Sequence, residues 1–204
     1  MNGYHIHIQG RVQGVGFRPF VYRVASAAKL RGWIKNTLDG VHIEVFSQSP
    51  IDIDAFADKL AADSPPQAKI EHITYRAVRR EGIARGFEIA HTGVSGLVSM
   101  ALTPDFAMCE DCKRELSDPH NRRYGYPFIT CINCGPRFSI VRKLPYDRQH
   151  TTMGAYTMCG DCGSEYRDPD DRRFHAQTNS CGECPVTLTL YHADGSRTGV
   201  PGAS

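Results

Sequence analysis

The 204-residue sequence predicts an α+β protein in two halves, a domain of mixed strands and helices followed by a small duplicated metal-binding domain. Three observations support this prediction. The first 92 residues alternate strand-like and helix-like stretches and contain no cysteine. All eight cysteines follow residue 108 and form CxxC pairs. These pairs repeat after 50 residues, which is the mark of a tandem duplication.

The first predicted strand covers residues 4–8, YHIHI, in which polar and hydrophobic residues alternate. Because side chains alternate across a strand, Ile6 and Ile8 are expected to face a core. His5 and His7 are then expected to face solvent.

A glycine-rich loop, GRVQGVGFR, follows this strand from Gly10 to Arg18. A helix is predicted directly after the loop, because hydrophobic residues recur at helical spacing. Pro19 falls in its first turn, where a missing N–H costs nothing, and Arg18 therefore lies at the helix N-terminus. The residues of the helical face are Phe17, Phe20, Val21, Val24 and Ala28.

A cation at a helix N-terminus opposes the helix dipole, and a bound anion would resolve this conflict. Gly10, Gly14 and Gly16 would let backbone N–H groups converge on a phosphate, and Arg18 would add a bidentate clamp. The loop matches neither GxxxxGK[ST] nor GxGxxG, so the nucleotide-binding motifs do not apply. From these residues alone, a plain strand-to-helix turn remains the alternative.

Further elements follow in the order strand, strand, helix, strand. Residues 32–36 and 41–45 form a predicted hairpin around the turn TLDG, residues 53–60 a helix, and residues 70–78 a strand before a short one at 87–89. The order βαββαβ is that of the ferredoxin-like fold. In this topology the first two strands run parallel, so Arg18 and Asn36 can meet at one end of the sheet. Taken alone, Asn36 is equally a residue that closes the hairpin turn.

These residues resemble the acylphosphatase family in two signatures, IQGRVQGVGFR from Ile8 to Arg18 and GWIKNTLDGVHIEV from Gly32 to Val45. The resemblance implies that Arg18 and the loop hold the phosphate of an acyl phosphate, while Asn36 orients the attacking water. Such hydrolysis rests on positioning and electrostatic stabilisation, so it needs no metal in this half. The implied phosphate-binding loop consists of Val12, Gln13, Gly14, Val15, Gly16 and Phe17.

The cysteines of each repeat form two CxxC pairs separated by 18 residues, a spacing typical of four-cysteine zinc sites. Two structural zinc ions are predicted, with no open coordination position for catalysis. Disulfides and a redox CxxC are the alternatives, and His120, His150 and His175 are expected outside the ligand sets. The predicted ligands are Cys109, Cys112, Cys131 and Cys134 for one ion, and Cys159, Cys162, Cys181 and Cys184 for the other.

Composition argues against nucleic-acid binding, although the paired arginines of each repeat could contact nucleic acid, form a packed face or line a substrate tunnel. The net charge is +2, with 12 Lys and Arg against 9 Asp and Glu in residues 1–92, and 11 against 12 in residues 105–190. No 18-residue apolar run and no secretory signal occur, so a soluble, cytoplasmic protein with reduced thiols is expected, without membrane partners.

An acylphosphatase-like half followed by two such fingers resembles the N-terminal portion of the HypF family, the carbamoyltransferases that mature nickel–iron hydrogenases. The resemblance implies hydrolysis of carbamoyl phosphate and, in the full-length family, a maturation partner with a C-terminal cysteine. The chain would then be a fragment without the ATP-using and transfer domains. The alternative function is that of a non-enzymatic zinc-ribbon scaffold or binding protein.

The expected organisation is an acylphosphatase-like domain over residues 1–92 and a linker over residues 93–104. The region 105–190 contains two finger repeats, 105–140 and 155–190, and a tail covers 191–204. The metals are expected to stabilise only the segment that holds them.

Overall fold

A computed structural model describes residues 1–83, 85–91 and 102–198. The predicted linker lies outside the described residues up to position 101, and the predicted tail is described only as far as residue 198.

The first half confirms the predicted order of elements, including the short final strand. Its strands and helices are β1 (Asn2–Arg11), α1 (Phe17–Ala27), β2 (Arg31–Thr37), β3 (Gly40–Phe46), α2 (Ile53–Ala62), β4 (Lys69–Arg79) and β5 (Phe87–Ile89).

The five strands form one sheet in the order β4-β1-β3-β2-β5. Strand β3 pairs antiparallel with both β1 and β2, so β1 and β2 run in the same direction. The loop after β1 and the end of β2 therefore lie at the same end of the sheet, as the topology predicts. This arrangement sets the position of the candidate active site.

The core lies between the sheet and the two helices. Helix α1 buries one face that includes Phe17 and Val21, and α2 buries Leu60 against the same layer. From the sheet, Ile6 and Ile8 are completely buried, which confirms the predicted orientation of β1. Each such side chain stabilises the fold by roughly 1.5–3 kcal/mol through removal of apolar surface from water.

The second half is built mainly from turns and short helices around the cysteines. Helices α3 (Glu110–Ser117) and α4 (Gly160–Arg167) each begin directly after the first cysteine of a repeat, at equivalent positions. Three short 3₁₀ helices lie between the last cysteine of the first repeat and the first cysteine of the second, at Phe138–Ile140, Arg148–His150 and Thr152–Ala155. Within the described residues, every helix is too short or too polar to cross a membrane.

Candidate active site and metal centres

The loop between β1 and α1 turns sharply through two glycines. Gly14 and Gly16 have φ angles of 72° and 75°, in the left-handed region that glycine adopts without strain. Gly16 is also the N-cap of α1, whose N-terminus has no side-chain cap and no acidic residue in its first turn. The first amides of a helix need a partner from outside the helix, so this end of α1 is suited to an anion.

Gly10 has a different role from the one expected in the sequence analysis. It lies within β1 at a φ of 122°, and a Cβ atom there would sit 2.2 Å from the carbonyl oxygen of Lys69 on β4. The glycine therefore permits close approach of two strands rather than forming part of an anion cradle.

Arg18 and Asn36 lie together, as the topology predicts, and their side chains share one acceptor. Asn36 Nδ2 donates to the carbonyl oxygen of Tyr146 over 2.8 Å, and Arg18 Nη2 lies 3.5 Å from the same oxygen. Both side chains are buried, and Asn36 Oδ1 accepts no hydrogen bond within the part of the chain that the structure describes. The hairpin turn is instead closed by Thr37, whose hydroxyl donates to Asp39 and Gly40. The Asn36 side chain therefore does not serve to close the hairpin turn.

Asp147 lies beside this pair of donors. Its carboxylate oxygen is 3.7 Å from Arg18 Nη1, in an ion pair with little exposure to solvent. An acceptor carbonyl and a carboxylate from the second half thus occupy the donors of the first half.

Gln13 braces the loop, a role that the sequence analysis did not assign to its side chain. Its Nε2 donates to the carbonyl oxygens of Thr37 and Gly40 over 2.8 Å each. Its Oε1 accepts from the backbone N–H of Tyr146 over 3.0 Å. One buried amide therefore connects the loop, the β2–β3 turn and the stretch between the finger repeats.

The second half covers the loop. Arg137 donates from Nε to the carbonyl oxygen of Gly14, and a Cβ atom at Gly16 would lie 3.2 Å from Ile132. A cavity of about 30 Å³ remains between the two halves, lined in part by Gln13, Arg18 and Arg137. That volume accommodates about one or two water molecules. The loop glycines therefore also permit this close packing, which sequence patterns do not reveal because the contacts are more than 100 residues apart.

His175 lies next to Arg18 at this interface. It lines the small cavity and also a second one of about 410 Å³, and Arg18 lines both. Burial, together with the positive charge of Arg18, lowers the pKa of His175 to about 4. Its backbone has a φ of 54°, which is uncommon for a residue with a side chain. His150 is buried with Nδ1 2.7 Å from the carbonyl oxygen of Pro145, whereas His120 is exposed.

The eight cysteines form the two predicted clusters, with no histidine in either ligand set. Neighbouring sulfur atoms lie 3.6–3.9 Å apart in the first cluster and 3.6–3.8 Å apart in the second, without a covalent bond between them. Four sulfurs about 2.3 Å from one tetrahedral ion lie roughly 3.8 Å apart, whereas a disulfide needs about 2.05 Å. Both clusters therefore fit one four-coordinate metal each, and all eight cysteines are free of disulfides.

The paired arginines of each finger repeat contact the other repeat. Arg122 Nη2 donates to Cys162 Sγ over 3.3 Å, and Arg172 Nη1 donates to Cys112 Sγ over 3.1 Å. The neighbouring Arg123 is only 2% exposed and pairs with Glu165 of the other repeat. Each repeat thus supplies positive charge to the cysteine sulfurs of the other, and these guanidinium groups pack between the two repeats.

Family models match both halves of the chain. Residues 4–89 match the acylphosphatase model, and residues 108–141 and 158–191 each match the HypF finger. The carbamoyltransferase HypF of Rhodobacter capsulatus is 44% identical over 190 residues, which cover 93% of this chain and 25% of the relative. The chain belongs to the HypF family. It spans about a quarter of the length of this HypF relative.

Structural comparison agrees with this assignment. A crystal structure of full-length HypF in the phosphate- and nucleotide-bound form matches 94% of this chain with a TM-score of 0.84 and 42% identity, and 25% of the HypF chain is covered. The first half is also similar to acylphosphatases. The acylphosphatase of Pseudothermotoga lettingae is 36% identical over 78 residues, which cover 86% of that enzyme and 38% of this chain.

Proposed function

We propose that this chain hydrolyses an acyl phosphate at the loop between β1 and α1, and that this acyl phosphate is carbamoyl phosphate. The observation that carries the proposal is the convergence of Arg18 and Asn36 on one oxygen position beside the uncapped N-terminus of α1. An anion with several oxygens satisfies both side chains and the helix amides together. The similarity to acylphosphatases supports the same chemistry.

In the proposed reaction, Arg18 and the loop amides hold the three phosphoryl oxygens as negative charge redistributes among them. Asn36 Oδ1, which is buried and unpaired among the described residues, accepts a hydrogen bond from a water molecule. The water oxygen forms a bond to phosphorus, the bond between phosphorus and the acyl oxygen breaks, and the acyl group leaves as its carboxylate or carbamate. The released proton passes to solvent or to phosphate.

Substrate binding at this loop requires movement of the residues of the second half that cover it. The cavity between the loop and Arg137 holds about one or two water molecules, which is less than an acyl phosphate needs. Tyr146 and Asp147 occupy the donors that the phosphoryl group would use. Displacement of this short stretch is therefore part of the proposed binding step.

The two cysteine clusters are proposed to hold zinc in structural roles. Four thiolates around each site favour a soft, tetrahedral ion, and four protein ligands leave no position for substrate. As a member of the HypF family, the chain is proposed to act in the first step of carbamoyl transfer during nickel–iron hydrogenase maturation. A maturation partner with a C-terminal cysteine would be the eventual acceptor.

Phosphate release from carbamoyl phosphate and acetyl phosphate tests the proposed activity. Arg18→Ala should reduce kcat/KM by at least about 100-fold, in the range of a lost transition-state contact. Arg76→Ala, which removes an exposed arginine of β4, is the matched control and should retain activity. Absence of phosphate release in the wild type would favour the scaffold function, and full activity in Arg18→Ala would exclude the proposed phosphate site.

A further inference from the structure

Three histidines and an aspartate form a cluster on the face of the sheet opposite the helices. His7 on β1 and His42 on β3 are cross-strand partners, and their rings stack with centroids 4.2 Å apart. Asp39, in the β2–β3 turn, places one carboxylate oxygen 3.1 Å from His42 Nε2 and the other 3.6 Å from His7 Nε2. The side chains of these three residues are only 18–24% exposed. His7 is therefore less accessible to solvent than the alternation of β1 predicts.

These separations match those of ligands that share an ion. Nitrogen and oxygen ligands about 2.0–2.2 Å from one tetrahedral metal lie roughly 3.4 Å apart, and the two observed distances bracket this value. A hydrogen bond alone explains only the shorter one, because 3.6 Å is too long for N–H···O. His7 Nε2 also lies 3.0 Å from the carbonyl oxygen of Asp39, a contact that metal binding would replace.

The hydrogen bonds around His42 give a second, independent argument. His42 Nδ1 lies 2.9 Å from His5 Nε2, and His5 Nδ1 lies 3.4 Å from Glu44 Oε1. If a neutral His42 donates its Nε2–H to Asp39, its Nδ1 must accept from His5 Nε2–H, and a neutral His5 then turns a lone pair toward the Glu44 carboxylate. If a metal instead binds the lone pair of His42 Nε2, each ring N–H of His42 and His5 has an acceptor.

In that second arrangement, His42 Nδ1–H donates to His5 Nε2 and His5 Nδ1–H donates to Glu44. A ligating histidine that passes its other N–H toward a carboxylate is typical of protein metal sites. The carboxylate of Glu44 is in turn held by Arg80, whose Nη2 lies 2.9 Å from Oε1. The cluster therefore has both the ligands and the supporting hydrogen bonds of a metal site.

We propose that His7, His42 and Asp39 bind one divalent transition-metal ion on the face of the sheet opposite the helices. Imidazole nitrogen and carboxylate oxygen together suit zinc and its neighbours in the first transition row. The three ligands leave a coordination position for water or a small ligand, unlike the closed four-cysteine clusters. His5 is a positioning residue that orients His42. The ion would connect β1, β3 and the β2–β3 turn.

Isothermal titration with Zn²⁺ tests the site in the full chain without a histidine tag, after both cysteine clusters have been filled and excess metal removed. The wild type should bind one additional equivalent. His7→Gln and His42→Gln should each lose this equivalent, and His72→Gln, at an exposed position of β4, should retain it. His5→Phe should weaken binding about 10- to 100-fold.

The four variants must keep two equivalents of cysteine-bound metal and the wild-type circular dichroism, so that a lost equivalent is not misread as unfolding. No additional equivalent in the wild type would overturn the proposal. Retention of the equivalent in both His7→Gln and His42→Gln would overturn it as well. Unchanged affinity in His5→Phe would overturn the positioning role of His5.

Discussion

The contact between Arg18 and Asp147 decides how an anion reaches the candidate active site. The two groups lie 3.7 Å apart with side chains 8% and 19% exposed. The carboxylate offers Arg18 the same kind of oxygen that a phosphoryl group would offer. In the proposed binding step, substrate therefore competes with Asp147 for the guanidinium of Arg18.

Asp147→Asn should lower the KM for acetyl phosphate because the amide no longer competes with substrate as an anion. We expect a decrease of roughly two- to fivefold, since a partly exposed ion pair contributes up to about 1 kcal/mol. Steady-state phosphate release measures the change, with Asp58→Asn on the exposed side of α2 as the control. An unchanged KM with a lower kcat would mean that Asp147 orients Arg18 instead.

His175 makes the stability of the fold depend on pH. Its pKa in the fold is about 4, well below the ordinary value of 6.5, because burial and Arg18 disfavour its charged form. The unfolded chain therefore binds an additional proton between about pH 4 and 6.5, and stability declines as pH falls through this range.

The slope from His175 should reach about 1.4 kcal/mol per pH unit. Urea denaturation at pH 7.0, 6.0 and 5.0 measures it. His175→Gln should reduce the pH dependence in this range, whereas His120→Gln, at an exposed position, should not. An equal slope in wild type and His175→Gln would show that other groups cause the decline.

At the scale of elements, the two finger repeats exchange their arginines. Glu115 of α3 binds Arg173, and Glu165 of α4 binds Arg123, so the exchange repeats with the 50-residue offset of the sequence. Hydrogen bonds from Arg123 and Arg122 hold the pKa of Glu165 at about 2, although burial alone would raise it. Each cluster of thiolates is therefore stabilised by the repeat that does not contain it.

Arg172→Ala should perturb the cluster that contains Cys112, although Arg172 lies in the other repeat. In protein whose two cysteine clusters are loaded with ¹¹³Cd, each cluster is expected to give one resonance, and of these only that of the Cys112 cluster should shift strongly. Its metal should also dissociate about 10-fold faster, as for other lost contacts to metal ligands. Arg114→Ala, at an exposed position of α3, should leave both resonances in place. A shift confined to the Cys162 cluster would contradict the exchange.

At the scale of the whole molecule, the two halves share one interface. Gln13, Arg18 and Asn36 of the first half all contact residues 146–147, and Tyr22 packs against Phe174 with ring centroids 5.1 Å apart. These contacts favour coupled stability of the halves. They argue against the expectation that the metals stabilise only the segment that holds them.

Removal of the metals should therefore destabilise the first half. Trp33 on β2 is the single tryptophan of the chain, so its fluorescence reports that half alone. A chelator should lower the midpoint of its thermal transition by at least about 4 °C, which corresponds to about 1 kcal/mol in a domain of this size. The same chelator in Cys-blocked, metal-free protein is the control. An unchanged transition would show that the halves fold independently.

Much of this protein was predictable from the sequence because the deciding signals are local or periodic. Strand alternation and helical spacing predicted every element of the first half, and the parallel course of β1 and β2 brought Arg18 to Asn36. The repeated CxxC pairs predicted both metal clusters, since ligand spacing follows from coordination geometry.

Contacts between residues far apart in the chain were decided only by the tertiary structure. The burial of Arg18 under Tyr146 and Asp147, the brace at Gln13 and the exchange of arginines leave no periodic pattern in the sequence. The same holds for Gly10, whose φ angle serves a neighbouring strand, and for the cluster of His7 with His42. Composition, periodicity and motif spacing were enough to predict which groups are present and which elements carry them. Packing alone determined which groups meet, because that depends on how separate surfaces fit together.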